Sequence, residues 1–430
     1  MSNYDRETAD SYYEASRRYS IDVEHIRGDQ RADVVVIGGG ITGVSTALHL
    51  AENGIDVAVL ESRHFGWGAS GRSGGQIIVG YSAEQALLEK LVGMESAREL
   101  WDHSVAAVEW TRERIKRHRI DCDLTTGYLH VGVKPGHARE LQKWAEHLCR
   151  HYDYAVLDYL DRAQLRQIVG SELYSSAVSD PGSGHLHPLN YCLGLADAAR
   201  QAGARLYQDS AVTRVESSNS GSTIYSEHGC IRCEQVVYAC NAYLDRLQPD
   251  LTKMIMPVGT YIVATEPLEE DIVSGLIANR AAVSDTNFVL DYYRLSADNR
   301  MLFGGRVSYS TLEPRRLSRS LQQRMLRVFP QLAATRIDFS WGGYVAITRN
   351  RAPHIGRLNE SSWFAQGFSG HGMALTGYVG GLLADAVRGD HTRIECFRSI
   401  PHKAFPGGPA LRMPALVVAM AYHRLLDKLA

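Results

Sequence analysis

The sequence predicts a mixed α/β fold, with a parallel nucleotide-binding sheet near the start and a mainly antiparallel region further on. Three observations predict it. The run ADVVVIG (32–38) is a short β-branched stretch suited to a buried parallel strand. Glycines at GxGxxG spacing follow, then a helical apolar period and a second strand, DVAVLE (56–61). Between about 251 and 340 the pattern changes to alternation. MPVGTYIVATEPL reads as a strand, and FVLDYYRLSADNRMLFGG as a β-hairpin turning near ADN.

Each part of the first unit has a physical role. Gly38 permits a tight turn, Gly40 lets backbone approach a pyrophosphate, and Gly43 permits close helix–strand packing. The helix ITGVSTALHLAENG ends at Gly54 as C′, and the free N–H groups at its start attract phosphate. Glu61 closes the second strand 21 residues beyond Gly40, where an acidic side chain accepts from ribose hydroxyls and disfavours a 2′-phosphate. This Rossmann-type unit holds a dinucleotide but does not itself distinguish FAD from NAD. The next stretch, SRHFGWGASGRSGGQI (62–77), is a long loop of small residues with free backbone donors. A plain NAD unit proceeds there to another helix and strand, whereas such a loop suits a larger cofactor.

Composition narrows the classes. The 430 residues are enough for two or more domains. Lys and Arg number 46 against 48 Asp and Glu, a net charge of -2, which argues against nucleic-acid binding and against a basic membrane-surface protein. The polar start MSNYDRETADSYYEASRRYS has no apolar h-region, and the best apolar run, MPALVVAMAY (413–422), is too short to cross a bilayer. The expected location is the cytoplasm. Seven scattered cysteines do not form a disulfide framework. Cys230 and Cys233 have CxxC spacing in a strand–turn–strand context rather than at a helix start, and no second Cys or His pair has zinc spacing, so no metal is expected.

GWGASGRSGGQ (66–76), taken with the βαβ unit, resembles the D-amino-acid-oxidase (DAO) superfamily of FAD-dependent oxidoreductases. Within it the chain is most similar to the γ-glutamylputrescine oxidase-like branch. The resemblance runs through SYYEAS, CDLTTGYLHVG (122–132), VYACNAYL (237–244), YIVATEPL (261–268), YYRLSADNRMLFGGR (292–306), WGGYVAITRNRAPHIGR (341–357) and GFSGHGMALTG (367–377). It implies an N-terminal arm (1–29), an FAD-binding domain assembled from 30–105, 181–250 and 340–392, and an interleaved α+β substrate domain from 106–180 and 251–339. A helical tail (393–430) would close the chain, packing on the body or on a second subunit. The antiparallel region would roof the flavin.

For the cofactor, the resemblance implies non-covalent FAD, since YVAITRNRAP lacks the cysteine by which some relatives attach it. The expected contacts are Gly38, Gly40, Ile41, Thr42, Gly43, Glu61, Ser62, Arg63, Gly68, Ala69, Ser70, Gly74, Gly75, Gln76, Val212, Ala239, Asn241, Gly370, His371, Gly372 and Met373. Trp67 and Arg72 are further flavin neighbours. A helix beginning at MALTG would aim its positive end at the flavin N1/O2 edge. His371 either donates to flavin or substrate, or only packs.

For chemistry, the resemblance implies an amine oxidase. Hydride passes from the carbon beside an amine nitrogen to flavin N5, the imine hydrolyses, and O₂ reoxidises the flavin to give H₂O₂. Such a site needs a neutral, oriented amine shielded from water rather than an acid–base triad. Tyr293 matches a tyrosine that D-amino-acid oxidases place on the substrate carboxylate, or it packs in the sheet; Arg294 would face the other side of the strand. The carboxylate-binding arginine of amino-acid oxidases falls at Val345 here, and the lysine that sarcosine oxidases place near MLFGG is replaced by Phe303. Arg349 and Arg351 stand close by, as substitutes or as surface ion pairs. Tyr12 and Tyr13 either cover the substrate entrance or pack on the surface. These departures disfavour a simple α-amino acid and favour the polyamine-like or secondary-amine branch, with a γ-glutamyl-polyamine as the leading substrate. The alternatives are a secondary amino acid (pipecolate-, iminodiacetate- or sarcosine-like), a dehydrogenase using quinone or another acceptor, and a non-catalytic FAD subunit of a complex. The partners expected are a small amine and O₂, with the chain a monomer or homodimer.

Overall fold

The computed structural model describes residues 11–218, 221–287, 290–305 and 317–408. The strand Val34–Ile37 lies inside a six-stranded sheet, ordered His354–Asn359, Ser362–Gln366, Gln235–Tyr238, Val34–Ile37, Val57–Leu60 and Arg205–Tyr207. All pairings are parallel except the hairpin that joins the first two. Both faces of this sheet are covered, which is why VVVI carries no polar residue. Val34 and Val36 enter a core against helices, while Val35 and Ile37 enter a second core beneath a small four-stranded sheet. That small sheet includes Gly229–Cys233, so Cys230 and Cys233, three residues apart on a strand, face opposite sides.

Helix Ile41–Glu52 packs on Met373–Val387 and Pro188–Gln201. Close approach depends on small residues. A Cβ on Gly380 would stand 2.7 Å from the Thr42 carbonyl oxygen, and Ser45 Oγ donates to Gly377 O at 2.6 Å. At the far end of this packing the Arg114 guanidinium, on helix Gln85–His118, donates to Glu52 at 2.6 Å.

The antiparallel region forms a nine-stranded sheet. Its path runs Ile337–Ile347, Met256–Thr265, Met301–Gly305, Asp291–Leu295, Ala282–Asp285, Thr125–Gly132, Ser176–His185 and Gln76–Ile77, with Asp158–Leu160 beside Ser176–His185. The expected hairpin is present, and Asn299 at its turn has φ 63°. Ala282–Asp285 pairs with Thr125–Gly132 in parallel, an exception within the sheet. One face buries an apolar core that includes Leu129, Val283, Tyr293 and Phe303, while Ile262, Leu302 and Trp341 belong to the helical core of the first unit. Ile337–Ile347 and Gln76–Ile77 both join this sheet, so the expected domain divisions at 340 and 105 do not follow sheet membership. The physical reason is that both strands sit where the two units meet.

In the described part of the arm, two tyrosines turn inward. Ser11 Oγ caps the short helix Tyr12–Ala15, and Tyr12 and Tyr13 are both buried. The expected tail helix lies in 409–430, outside the described residues.

At the end of Ala282–Asp285, the buried Asp285 carboxylate accepts from Asn287 N and Asp291 N, each at 3.1 Å, and from Asn287 Nδ2 at 2.7 Å. Burial first, and then the nearby Asp291, push its pKa up from 3.8 to about 7. The folded state therefore holds this proton more tightly than the unfolded chain. Its contribution favours folding at low pH and is lost as pH rises towards about 7. Relative to wild type, Asp285→Asn is expected to gain stability between about pH 5 and pH 7, by at most about 1.4 kcal/mol per pH unit. Urea unfolding of both proteins across that range checks it, and a pH-independent difference would count against the burial of this charge.

Candidate cofactor and active site

A cavity of about 570 Å³ opens along the carboxyl ends of Val34–Ile37, Val57–Leu60 and Gln235–Tyr238. The chain returns to the sheet on either side of Val34–Ile37 here, the switch point at which open α/β sheets hold ligands. Two helix starts border the cavity. Ile41–Glu52 begins after Gly40 with its first N–H bonded to Ser70 Oγ at 2.9 Å, and Met373–Val387 begins after Gly372 with no side-chain cap. Their positive ends favour anionic groups between them.

Steric space at the turn is the most specific feature. Gly38 has φ +110°, and a Cβ there would lie 2.8 Å from Ala239 O. A Cβ on Gly40 would meet Ser70 Oγ at 2.8 Å. Glu61 is pre-set at the end of its strand: Oε2 accepts from Gly39 N at 2.6 Å and Oε1 from Arg63 N at 2.9 Å. A long cavity with bare backbone at its middle, a carboxylate at one end and an apolar wall at the other fits a flavin dinucleotide.

That apolar wall comes from the large sheet. Val345 and Phe368 line it, and Ser369 N donates to Ala346 O at 3.0 Å, tying the GFSGHG loop to Ile337–Ile347. Val345 therefore presents hydrocarbon where the resemblance would put a carboxylate-binding arginine. Arg349 reaches the Ala404 carbonyl at 3.4 Å, away from this wall.

Most expected positions converge. Gly38, Gly40, Ile41, Thr42, Glu61, Ser62, Arg63, Gly68, Ala69, Ser70, Val212, Ala239, Asn241, Gly370, Gly372 and Met373 all line the cavity, as does Trp67. Gly43 does not; its missing side chain makes room for the Gly38 carbonyl, which a Cβ would meet at 1.9 Å.

Several expectations require correction. Gly74, Gly75 and Gln76 are not cavity positions. Gly74 lies under the Tyr292 ring, Gly75 under the Leu186 carbonyl, and Gln76 Nε2 donates to Val283 O at 3.1 Å. His371 turns away too, with Nε2 3.1 Å from Ile78 O. Burial lowers its pKa, so the ring is neutral, with Nε2 protonated towards that carbonyl. Tyr293 points into the second core, stacked on Phe303 with ring centroids 5.5 Å apart. The strand tyrosine that faces the first unit is Tyr292, one residue earlier, with its ring against Gly74, because strand side chains alternate. Phe303 shares the face of Tyr293, so a lysine in its place would not reach the cavity. Arg294 does face the other way, but backbone carbonyls occupy its donors: Nε to Gly74 O at 2.7 Å and Nη2 to Leu186 O at 2.9 Å.

Sequence reading missed Tyr243, Phe368, Ser73 and Thr376, and it noted Val345 only as an absence. Tyr243 packs edge-on to Trp67 at 5.3 Å, and its hydroxyl accepts from Tyr344 N at 3.3 Å. Its signal was positional, since Cys240–Leu247 follow the third strand end at the switch point. Elsewhere, Glu99, His103 and Cys396 lie close enough to suggest a metal. Arg393 donates to Tyr378 Oη at 2.6 Å, and that hydroxyl lies 2.6 Å from His103 Nδ1. Its hydrogen therefore goes to Nδ1, leaving Nε2 protonated and without a lone pair for a cation.

Comparison with known proteins agrees with this geometry. The family model described as DAO, FAD dependent oxidoreductase, matches residues 33–386. The chain is 42% identical over 424 residues to gamma-glutamylputrescine oxidoreductase of Escherichia coli (strain K12), covering 98% of this chain and 99% of that one. It is 37% identical to the probable oxidoreductase OrdL of Haemophilus influenzae, covering 97% of each. Among solved structures, glycine oxidase from Geobacillus kaustophilus has a TM-score of 0.69 at 23% identity, covering 84% of this chain and 95% of that one, a likeness of fold. Among the described residues no helix is long and apolar enough to cross a membrane.

Two substitutions probe the cavity. Glu61→Gln keeps the shape but removes the charge, and it is expected to weaken FAD binding by roughly tenfold in a fluorescence titration. Gly40→Val is expected to abolish binding, since its side chain would enter the space beside Ser70.

Proposed function

The chain belongs to the DAO family of FAD-dependent oxidoreductases, and from that premise we propose that it oxidises a γ-glutamylated polyamine at the carbon beside an amine nitrogen, with O₂ as the electron acceptor. The observation that carries the substrate is the 42% identity, spanning nearly the full length of both chains, with a gamma-glutamylputrescine oxidoreductase. The Val345 wall supports it, because hydrocarbon stands there where the resemblance would put the arginine that binds the α-carboxylate of a simple amino acid.

FAD, when bound, supplies the two-electron acceptor for this chemistry. The residues that would hold it are those of the glycine turn and the Ile41 helix start, Glu61 at the ribose end, and the 67–70 loop. Val345 and Phe368 exclude water from the reacting end, which keeps an amine neutral and oriented. The uncapped start of Met373–Val387 favours negative charge developing near it. His371, neutral and bonded through Nε2 to Ile78 O, holds the turn before that helix rather than moving a proton. The cavity thiol Cys240, pushed up to about 12 by burial, donates to Ile37 O at 3.3 Å and supplies no nucleophile. That inert thiol and the absence of a cysteine in 344–353 support non-covalent attachment of FAD.

An anaerobic screen tests the substrate. γ-Glutamylputrescine is expected to bleach the flavin, and pipecolate, sarcosine, iminodiacetate and simple α-amino acids are expected to do so much more slowly. In air, one H₂O₂ should appear per amine oxidised; slow oxidation in air beside fast dye reduction would assign a different acceptor. Acid precipitation should release all the flavin into the supernatant.

A further inference from the structure

We propose that the N-terminal helix Tyr12–Ala15 braces the cofactor site from outside the cavity, and that Tyr13 is a positioning residue that locks loop 67–76, whose first part lines the cavity, in place. No cavity-lining residue belongs to this helix; Tyr13 reaches the loop through two side chains that it touches, and Glu14 on the same helix lies 3.6 Å from His64 just before the loop.

The loop contributes Trp67, Gly68, Ala69, Ser70 and Ser73 to the cavity. Its second half is held by carbonyl anchors. Arg294 Nε donates to Gly74 O at 2.7 Å, Trp341 Nε1 to Arg72 O at 3.1 Å, and Leu186 N to Gly75 O at 2.8 Å. Tyr13 contacts two of these three donor residues. Its hydroxyl accepts from Arg294 Nη2 at 3.1 Å, and its ring meets the Trp341 indole edge-on at 5.2 Å. The same Nη2 donates to Leu186 O at 2.9 Å, so one guanidinium ties the arm to both sides of the third anchor.

Arg294 makes this contact consequential. It is buried and has no carboxylate partner among the described residues, so carbonyls and the Tyr13 hydroxyl supply its hydrogen-bond acceptors. Removing that hydroxyl leaves a charged N–H without its acceptor in a dry site. The guanidinium can then recover a bond only by shifting, and shifting moves Gly74.

The arm itself is placed by an independent set of bonds. His187 Nδ1 accepts from Asn190 N at 3.1 Å, so Nε2 carries the proton and donates to Ser16 Oγ at 3.0 Å. The His187 ring also packs on Tyr13 at 4.9 Å, and Arg18 N donates to Asn190 Oδ1 at 2.8 Å. Tyr12 serves as an internal control. Its hydroxyl donates to Asp298 at 2.5 Å, at the hairpin turn, and its ring packs on Phe339 and His187.

The test is FAD affinity of the deflavinated full-length protein, measured by fluorescence titration beside the melting temperature of the apoprotein. Tyr13→Phe, which keeps the ring, is expected to raise the FAD dissociation constant by roughly tenfold, the loss of one charge-assisted hydrogen bond, and the apoprotein to melt below wild type because a buried charged N–H loses its acceptor. The visible circular dichroism of the bound flavin should change with it. Tyr12→Phe is expected to leave affinity within about twofold of wild type. An unchanged FAD affinity in Tyr13→Phe would overturn the proposal, whether or not the apoprotein is destabilised. An equal loss in Tyr12→Phe would also overturn it, by showing that the arm acts only through general stability.

Discussion

The contact on which the structure depends is between two backbones. The Gly43 Cα approaches the Gly38 carbonyl so closely that no side chain fits between them, and Gly38 itself lies against the Ala239 carbonyl. Three chain segments thus meet at one point: the first strand end, the helix that follows it, and the strand end of Gln235–Tyr238. That closeness places the start of Ile41–Glu52 directly above the sheet edge. Its N–H groups and the Glu61 carboxylate then face the same crevice, and every later piece of the site is arranged around it. The second helix start, at Met373, arrives because glycines at 377 and 380 let its helix lie against Thr42 and Ser45.

The reacting end is built differently. It needs a wall from the antiparallel sheet, a loop from the parallel unit and a turn from near the end of the chain. Hydrogen bonds from side chains to carbonyls join them, with Arg294, Trp341 and Gln76 each crossing from one unit to the other. Buried side chains that satisfy backbone acceptors fix position more sharply than apolar packing alone, since hydrogen bonds are directional. The price, among the described residues, is a charge without an anion at Arg294, tolerated because carbonyl dipoles and the Tyr13 hydroxyl surround it.

The one-residue difference between Tyr292 and Tyr293 shows how such a site escapes sequence reading. Both tyrosines sit in the same alternating run, and motif spacing alone selects neither face. Pairing decides it: Tyr293 lies opposite Phe303 and Val283, both apolar and both in the second core, while Tyr292 lies opposite Gly304, whose missing side chain leaves room for its ring. His371 escaped for a related reason. Its glycine-rich neighbours were rightly placed at the cavity, yet the turn they form directs the imidazole to the Ile78 carbonyl instead.

The sequence by itself determined the parallel unit, the glycine turn with Glu61, the hairpin, and the family to which they belong. These are local features, in which period, turn chemistry and short spacings correspond directly to backbone geometry. It also marked Val345 as a departure, since that position is read from an adjacent motif. Only the tertiary structure decided which strand face meets the first unit, that the Arg294 donors go to backbone carbonyls and the Tyr13 hydroxyl, and that Tyr13 packs on side chains that hold the loop. Those outcomes depend on strand register and on contacts between residues hundreds of positions apart, which no local pattern encodes.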